Sequence, residues 1–409
     1  MEKLFFRTRK IDVPNYNLMN EKKYWKRSIK NNAFNVMFTA GFFVGLPLSS
    51  SIIKENKNDV HICIKIWCYA MAAVKTIMFL VTLAYINQFL PGLSISVTFY
   101  GYNVCGYLTM IIFIRNRKKM YKATQNLIYL SSVMIPGEYI GSRSIMYQLV
   151  IFFAFVILLM FCVALFLFCE QREYYTHALY VPYFIPESLR ESYWNFVSVS
   201  FVTTFGLSVS VSGFFYILSI NLYGTLEKLV SVYAEKLKER SQRTAWNVET
   251  LPDDISVFKN IALRINEIDL AINMYVFFFC GAMISALFNA VSVLASNNEF
   301  YNSTYPKIYI VFIFISWFVT FFVMARHGTN IIDKGEEAKL RMVEYLDKFL
   351  RYSPSHSAMQ LFNFLFEVVM KIDVKVTGGG MFVINYGLIL SICSVMVTYG
   401  VLILQLDQK

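Results

Sequence analysis

The sequence predicts an all-α, polytopic membrane protein: seven transmembrane helices, with a cytoplasmic N-terminus and an extracellular C-terminus. Three observations carry this expectation: the composition, the lengths of the apolar runs and the sidedness of the basic residues. The 409 residues are 56% hydrophobic and only 16% charged, with a mean hydropathy of +0.48. Soluble domains carry about 25% charged residues, and a soluble chain of this size could not bury so much apolar surface. A soluble enzyme, a disordered regulator and a secreted disulfide scaffold are therefore excluded.

Eight apolar runs approach the ~20 residues needed to cross a bilayer: 33–53, 66–89, 94–114, 147–168, 194–220, 271–295, 308–324 and 381–406. The basic residues reduce eight spans to seven. If the first run does not cross, 33 of the 38 Lys and Arg fall on the cytoplasmic side and 4 outside, with Lys75 inside a span. Lys and Arg are retained on the cytoplasmic side during insertion. That rule also accounts for the net charge of +11 without a nucleic-acid partner. The first run has a local reason to stop short: Gly41, Gly45 and Pro47 lie at its centre, and proline removes a backbone donor. It reads as a broken segment dipping into the inner leaflet. Met1–Asn32 is polar and basic, unlike a cleavable signal peptide. The one glycosylation sequon, Asn302-Ser303-Thr304, falls in a loop that the charge count places outside.

In chain order, the expected organisation begins with a cytoplasmic segment with the dip (1–65), followed by transmembrane helices 1–4 (66–220). A cytoplasmic helical anchor (221–270), helices 5–6 (271–326), further anchor helices (327–380) and helix 7 (381–409) complete it. In the anchor, Leu226, Leu229, Val230, Tyr233 and Leu237 recur at helical spacing, and Asp253 and Asp254 are positioned to cap the helix that follows. Leu340, Met342, Val343, Leu346 and Leu350 form a second stripe, and Leu361, Phe364, Leu365, Val368, Val369 and Ile372 a third. Such stripes need burial, either within one subunit or between subunits. Gly378-Gly379-Gly380 marks a helix break or hinge before the last span.

No catalytic constellation is evident. The four histidines lie in separate regions, and GxSxG, HExxH and phosphate-binding glycine loops are absent. The seven cysteines sit mostly in apolar runs without a CxxC pair, and read as buried hydrophobes rather than metal or redox ligands. The chain reads as a non-enzyme with no cofactor and no metal. Intramembrane acids, usual in ion-coupled transporters, are also lacking.

Two groups of residues remain. In the last span Ser391, Ser394, Thr398 and Gln405, with Leu402 between, share one helical face. A polar stripe on an apolar span serves as hydrogen-bonding glue between helices, or lines a water-filled path where several copies meet. Periodicity alone favours glue. Toward the outside, Tyr100, Tyr102, Asn103, Glu191, Trp194, Asn289 and Trp317 combine aromatic and polar types. They suit an interfacial belt or a pocket between helices.

The end of the chain adds a resemblance. Thr398-Tyr399, five hydrophobic residues, Gln405 and Leu406 resemble the signature of insect gustatory receptors, Thr-Tyr-five hydrophobics-Gln-Phe. The Gly380–Ile384 and Leu388–Ile392 stretches are similar to the segments that precede it in that family. The Gly45-Leu46-Pro47 dip is similar to the N-terminal segment of the same receptors and of the related odorant receptors. Leu406 departs from the signature Phe, and Gly400 stands where sugar-receptor members often have Glu. The resemblance implies a homo- or heterotetrameric, ligand-gated, non-selective cation channel in the plasma membrane, assembled from gustatory receptor subunits. The implied ligand is a small-molecule tastant, a sugar or a bitter compound. The implied pore is lined by the last helix, with its gate at Gln405 and Leu406, and permeating cations and membrane lipid are the other partners. On this basis the stripe reads as pore rather than glue. A metabotropic seven-helix receptor and a small-solute transporter are the alternatives. The first would expose its N-terminus, and the second would show uptake without agonist-gated current.

Overall fold

The computed structural model describes residues 33–43, 66–77, 79–80, 93–135, 142–165, 187–242, 251–295, 304–352 and 356–406. It is nearly all-helical. The helices are α1 (Ala33–Phe43), α2 (Ile66–Ile77), α3 (Leu93–Met134), α4 (Ser142–Leu165), α5 (Glu187–Gln242), α6 (Leu251–Ala295), α7 (Thr304–Tyr352), α8 (His356–Met370) and α9 (Tyr386–Leu406). Two short strands, β1 (Thr377–Gly378) and β2 (Phe382–Val383), pair antiparallel between α8 and α9.

The seven apolar runs read as spans fall on α2 to α7 and α9. Helix α1 has 11 residues, about 16 Å at 1.5 Å per residue. That is well short of a bilayer core of about 30 Å. Its apolar side is packed inside the protein: Phe34, Met37 and Phe38 are fully buried, and the Phe38 ring meets Tyr121 at 5.3 Å.

Four helices far exceed a membrane span. Helices α3, α5, α6 and α7 have 42, 56, 45 and 49 residues, or roughly 60–85 Å each. Their excess length carries the charged residues and gathers into a bundle at one end of the molecule. Leu226, Leu229, Val230 and Tyr233 of α5 and Phe258, Ile261, Ile265 and Ile268 of α6 are buried there in one continuous core. The Tyr233 ring stacks on Phe258, and its hydroxyl donates to the backbone carbonyl of Asp254 at 2.7 Å. Asp254 also pairs with Arg240. It lies in the first turn of α6, and its partners tie that turn to α5. Nearby, Asn126 of α3 donates to the Glu267 carboxylate at 3.0 Å, which also takes Arg264 at 2.5 Å.

The anchor stripes divide between two surroundings. Met342, Leu346, Leu365, Val369 and Ile372 are buried within the chain, whereas Leu340, Leu361 and Phe364 stay exposed. The single-subunit alternative thus accounts for one face only.

Candidate ligand pocket and pore helix

Helix α6 sits between the outer aromatic group and the polar stripe of the last span. On one flank of its outer half it packs tightly against α3. A Cβ on Gly101 would lie 2.7 Å from Ser285 Oγ, and one on Gly281 would lie 3.1 Å from Cys105 Sγ. These glycines let the helices approach closely enough for Tyr102, Ala282 and Ala286 to form a small buried cluster with Cys105 and Trp317. The rings of Tyr102 and Trp317 meet edge-on at 5.9 Å, and Phe279 lies 6.1 Å from Trp317. Asn289 stands three and seven residues beyond Ala286 and Ala282, on the same helical face.

The structure therefore brings Tyr102 and Trp317 together, with Asn289 on the adjoining face. Tyr100 is half-buried and Asn103 is buried on the same stretch of α3. The side chains of Glu191 and Trp194 lie outside the described residues. The sequence reading missed Phe279, Ser285 and the two alanines. The missed signal was the small-residue spacing of Gly281, Ala282, Ser285 and Ala286, which marks a close helix contact.

On another flank, α6 carries α9. Tyr399, the Tyr of the Thr-Tyr pair, packs its ring edge-on against Phe288 at 4.7 Å, and its hydroxyl lies 3.2 Å from that of Ser292. Among the described side chains of α9, Ile389, Ile392 and Met396 are buried. Ser391, Ser394, Thr398 and Leu402 occupy the opposite side and are exposed. The Ser391 hydroxyl donates to the Gly387 carbonyl and that of Thr398 to the Ser394 carbonyl. Within one chain the stripe is exposed, so what it meets, whether a helix of another copy or an aqueous path, lies outside the single chain. Leu390, Val397 and Val401 form an apolar exposed flank beside it. The side chains of Gln405 and Leu406 lie outside the described residues. By helical register Gln405 continues the polar stripe.

The inner end of α9 is held in several places. Gly378 ends β1 and pairs with Phe382, and Gly379, Gly380 and Met381 form the turn of the hairpin; Gly379 and Gly380 adopt φ of 62° and 71°, the left-handed region that L-residues avoid. The break expected there is thus a tight, docked turn. The buried Asp269 carboxylate of α6 accepts from Thr377 N at 2.6 Å and from Thr377 Oγ1 at 2.7 Å. Gly379 N donates to the Asn273 carbonyl at 2.8 Å. Helix α7 passes so close that a Cβ on Gly328 would collide with the Ile384 carbonyl oxygen. Thr329 Oγ1 accepts from Tyr386 N at 3.1 Å, and Asn385 caps α9 by accepting from Leu388 N at 3.1 Å. At the adjoining turn of α7, His327 Nδ1 lies 2.6 Å from the Glu227 carboxylate of α5, which also takes Asn330 at 2.8 Å. Below the hairpin Lys375 pairs with Asp373, whose carboxylate raises the ammonium above its ordinary pKa. Among the described residues, no group of three or more His, Cys, Asp or Glu is placed to hold a metal.

No protein-family model and no curated protein matches this chain. Solved structures do. The insect olfactory receptor OR5 from Machilis hrabei superposes with a TM-score of 0.58 at 13% identity, over 95% of this chain and 99% of that one. The same receptor in complex with eugenol gives 0.57 at 14% identity over the same shares. At these identities the likeness is one of fold, and it extends over nearly the whole of both chains. This multi-pass, nearly all-helical chain therefore has the fold of that olfactory receptor.

Proposed function

We propose that this chain is a subunit of a chemosensory, ligand-gated, non-selective cation channel of the plasma membrane, of gustatory type, opened by a small tastant. Four copies surround an axis lined by α9, with the long inner helices on the cytoplasmic side and the C-terminus outside. The observation that carries this reading is the sidedness of α9. Its apolar residues Ile389, Ile392 and Met396 face the subunit, while Ser391, Ser394 and Thr398 face away. Such a stripe of exposed hydroxyls suits the wall of a shared aqueous path. The exposed apolar residues Leu361 and Phe364 of α8 add a second surface where copies meet. The likeness to a receptor solved with eugenol supports a small-molecule ligand. A sugar or bitter tastant presents an apolar face for Tyr102 and Trp317 and hydroxyls or heteroatoms for Asn289.

The test is whole-cell recording of the chain expressed alone, against a tastant panel that includes eugenol. Thr398→Cys on the polar stripe should react with a permeant thiol reagent and change the current, whereas Val397→Cys on the apolar flank should not. Equal insensitivity at both positions, or uptake of solute without current, would remove the channel reading.

The pocket makes its own prediction. Tyr102→Ala and Trp317→Ala should each raise the half-activating concentration roughly three- to tenfold, the worth of one aromatic contact, with surface expression retained. Tyr102→Phe keeps the ring and should stay near wild type. Unshifted dose–response curves for both alanine variants would leave these rings with a packing role only.

A further inference from the structure

We infer that Glu227 and His327 form a proton-sensitive clamp that sets how firmly α9 is held at its inner end, so that acid on the cytoplasmic side opposes opening. The inference rests on the channel reading above and adds a regulation to it. Four consecutive residues of α7 reach in two directions. His327 and Asn330 grip α5: His327 Nδ1 lies 2.6 Å from Glu227 Oε2, and Asn330 Nδ2 donates to Glu227 Oε1 at 2.8 Å. Gly328 and Thr329 face the base of α9, where Thr329 Oγ1 accepts from Tyr386 N and a Cβ on Gly328 would collide with the Ile384 carbonyl oxygen. The same turn of α7 thus joins α5 to the start of the proposed pore helix. Both carboxylate oxygens of Glu227 are taken, so sliding or turning α7 against α5 breaks at least one bond.

A static bond between two inner helices would account for the pair without any regulation. The side chains chosen add what a static bond does not need. The carboxylate accepts twice, so Nδ1 carries its hydrogen and Nε2 is left for the second proton. Imidazole is the side chain that changes charge between about pH 5 and 8, and this one stays 23% exposed, just past the apolar run 308–324. A Cβ on Gly224 would meet His327 Cε1 at 3.6 Å, so the ring also lies against α5 one turn above Glu227. Protonation turns a neutral hydrogen bond to the carboxylate into a charge-assisted one. The clamp is therefore tightest where the imidazole is charged, and its hold fades as pH rises. Other charged groups of the neighbouring elements are exposed or engaged. Lys228 of α5 and Arg326 of α7 are exposed. Lys334 pairs with Glu337 and also feels Glu235 of α5. Asp269 of α6 is taken up by Thr377. Asp373 pairs with Lys375 below the hairpin, and Glu367 of α8 with Lys371. Tyr386 of α9 brings a phenol that packs on Phe322, and Gln148 of α4, which is neutral, bonds Asn221.

Two measurements on the full chain test this. In whole-cell recording with eugenol as the probe, lowering the pipette solution from about pH 7.8 to about pH 6.2 should raise the half-activating concentration roughly two- to fivefold, the size expected of a partly exposed ion pair. His327→Asn keeps a donor for Glu227 but cannot take the proton, and Glu227→Gln removes the charge that the proton meets. Both should flatten the pH dependence. His356→Asn, at an exposed histidine of α8, should keep the full shift. Thermal unfolding of the purified chain reads the same pair without any current. The stability of wild type relative to His327→Asn should rise as pH falls over the same interval, and the rise should disappear in the Glu227→Gln background. A chain that passes no current at any pH fails the channel reading, and the clamp is then decided by the unfolding curves. Unfolding differences that do not change with pH, an agonist response independent of internal pH, or a shift that survives in His327→Asn would each overturn the inference.

Discussion

Asp269→Ala is expected to loosen the inner end of α9 and to destabilise the whole chain strongly. The substitution strands two donors, Thr377 N and Thr377 Oγ1, in a buried site. At about 1–3 kcal/mol for each unsatisfied buried group, the loss is roughly 2–6 kcal/mol. Thr377→Val removes only the hydroxyl and leaves the carboxylate with its backbone partner, so its loss should be about half as large. Thr377→Ser retains both bonds and should behave as wild type. Thermal unfolding of the purified chain, followed by loss of the monodisperse peak, gives the stability order wild type ≈ Ser > Val > Ala. The double variant separates a specific pair from two independent lesions, because side chains in direct contact give non-additive effects. If the two lesions sum, or if Thr377→Ser falls with Thr377→Val, the hydrogen-bonded pair is not what holds the hairpin.

Leu406→Ser is expected to produce current without ligand. In the proposed fourfold assembly Leu406 supplies an apolar ring at the outer mouth, and a hydroxyl ring lowers the cost of wetting it. Gln405→Glu adds four charges near the axis and should shift selectivity toward divalent cations. Gln405→Lys should repel cations and reduce the current. For thiol labelling, Val397, which is exposed on the apolar flank, is the lipid-side control. Gln405 variants that all conduct like wild type would assign the pore to some other surface.

The spans were legible because bilayer thickness imposes a length that hydropathy reports directly. The dip expected around Gly45 and Pro47 lies outside the described residues, which reach Phe43 in α1. The polar stripe was legible as a stripe, but its direction was not. Ser391 and Thr398 look the same to a sequence reader whether they face a sister helix or an axis, and the burial of Ile392 and Met396 shows that the stripe faces away from its own subunit. Tyr102 and Trp317 are more than 200 residues apart, so nothing local announced their contact. The Asp269–Thr377 pair spans 108 residues. A lone Asp beside an apolar span and a lone Thr before a glycine run give no shared pattern. Gly378-Gly379-Gly380 was read as a break because its composition reports backbone freedom. The docking partners that turn freedom into a fixed hairpin, Asn273 and Asp269, come from another helix.

Helix α6 touches α9 near both ends, at Asp269 and Asn273 through the hairpin and at Phe288 and Ser292 through Tyr399. The two attachments are centred about 28 Å apart along α6 at 1.5 Å per residue. Mechanically this is a lever with its fulcrum on the charged side of the membrane and its load at the far tip. A tilt of about 5° about the hairpin would carry the end of a 21-residue α9, about 31 Å long, sideways by roughly 3 Å. In the proposed fourfold assembly, four levers moving outward together would widen the mouth by about twice that, roughly 6 Å. The force enters partway along the arm, at the contact of Tyr102 and Trp317 with Ala282 and Ala286. In the proposed channel, a small ligand wedged there would need to shift α6 by roughly 2 Å to move the tip by about 3 Å.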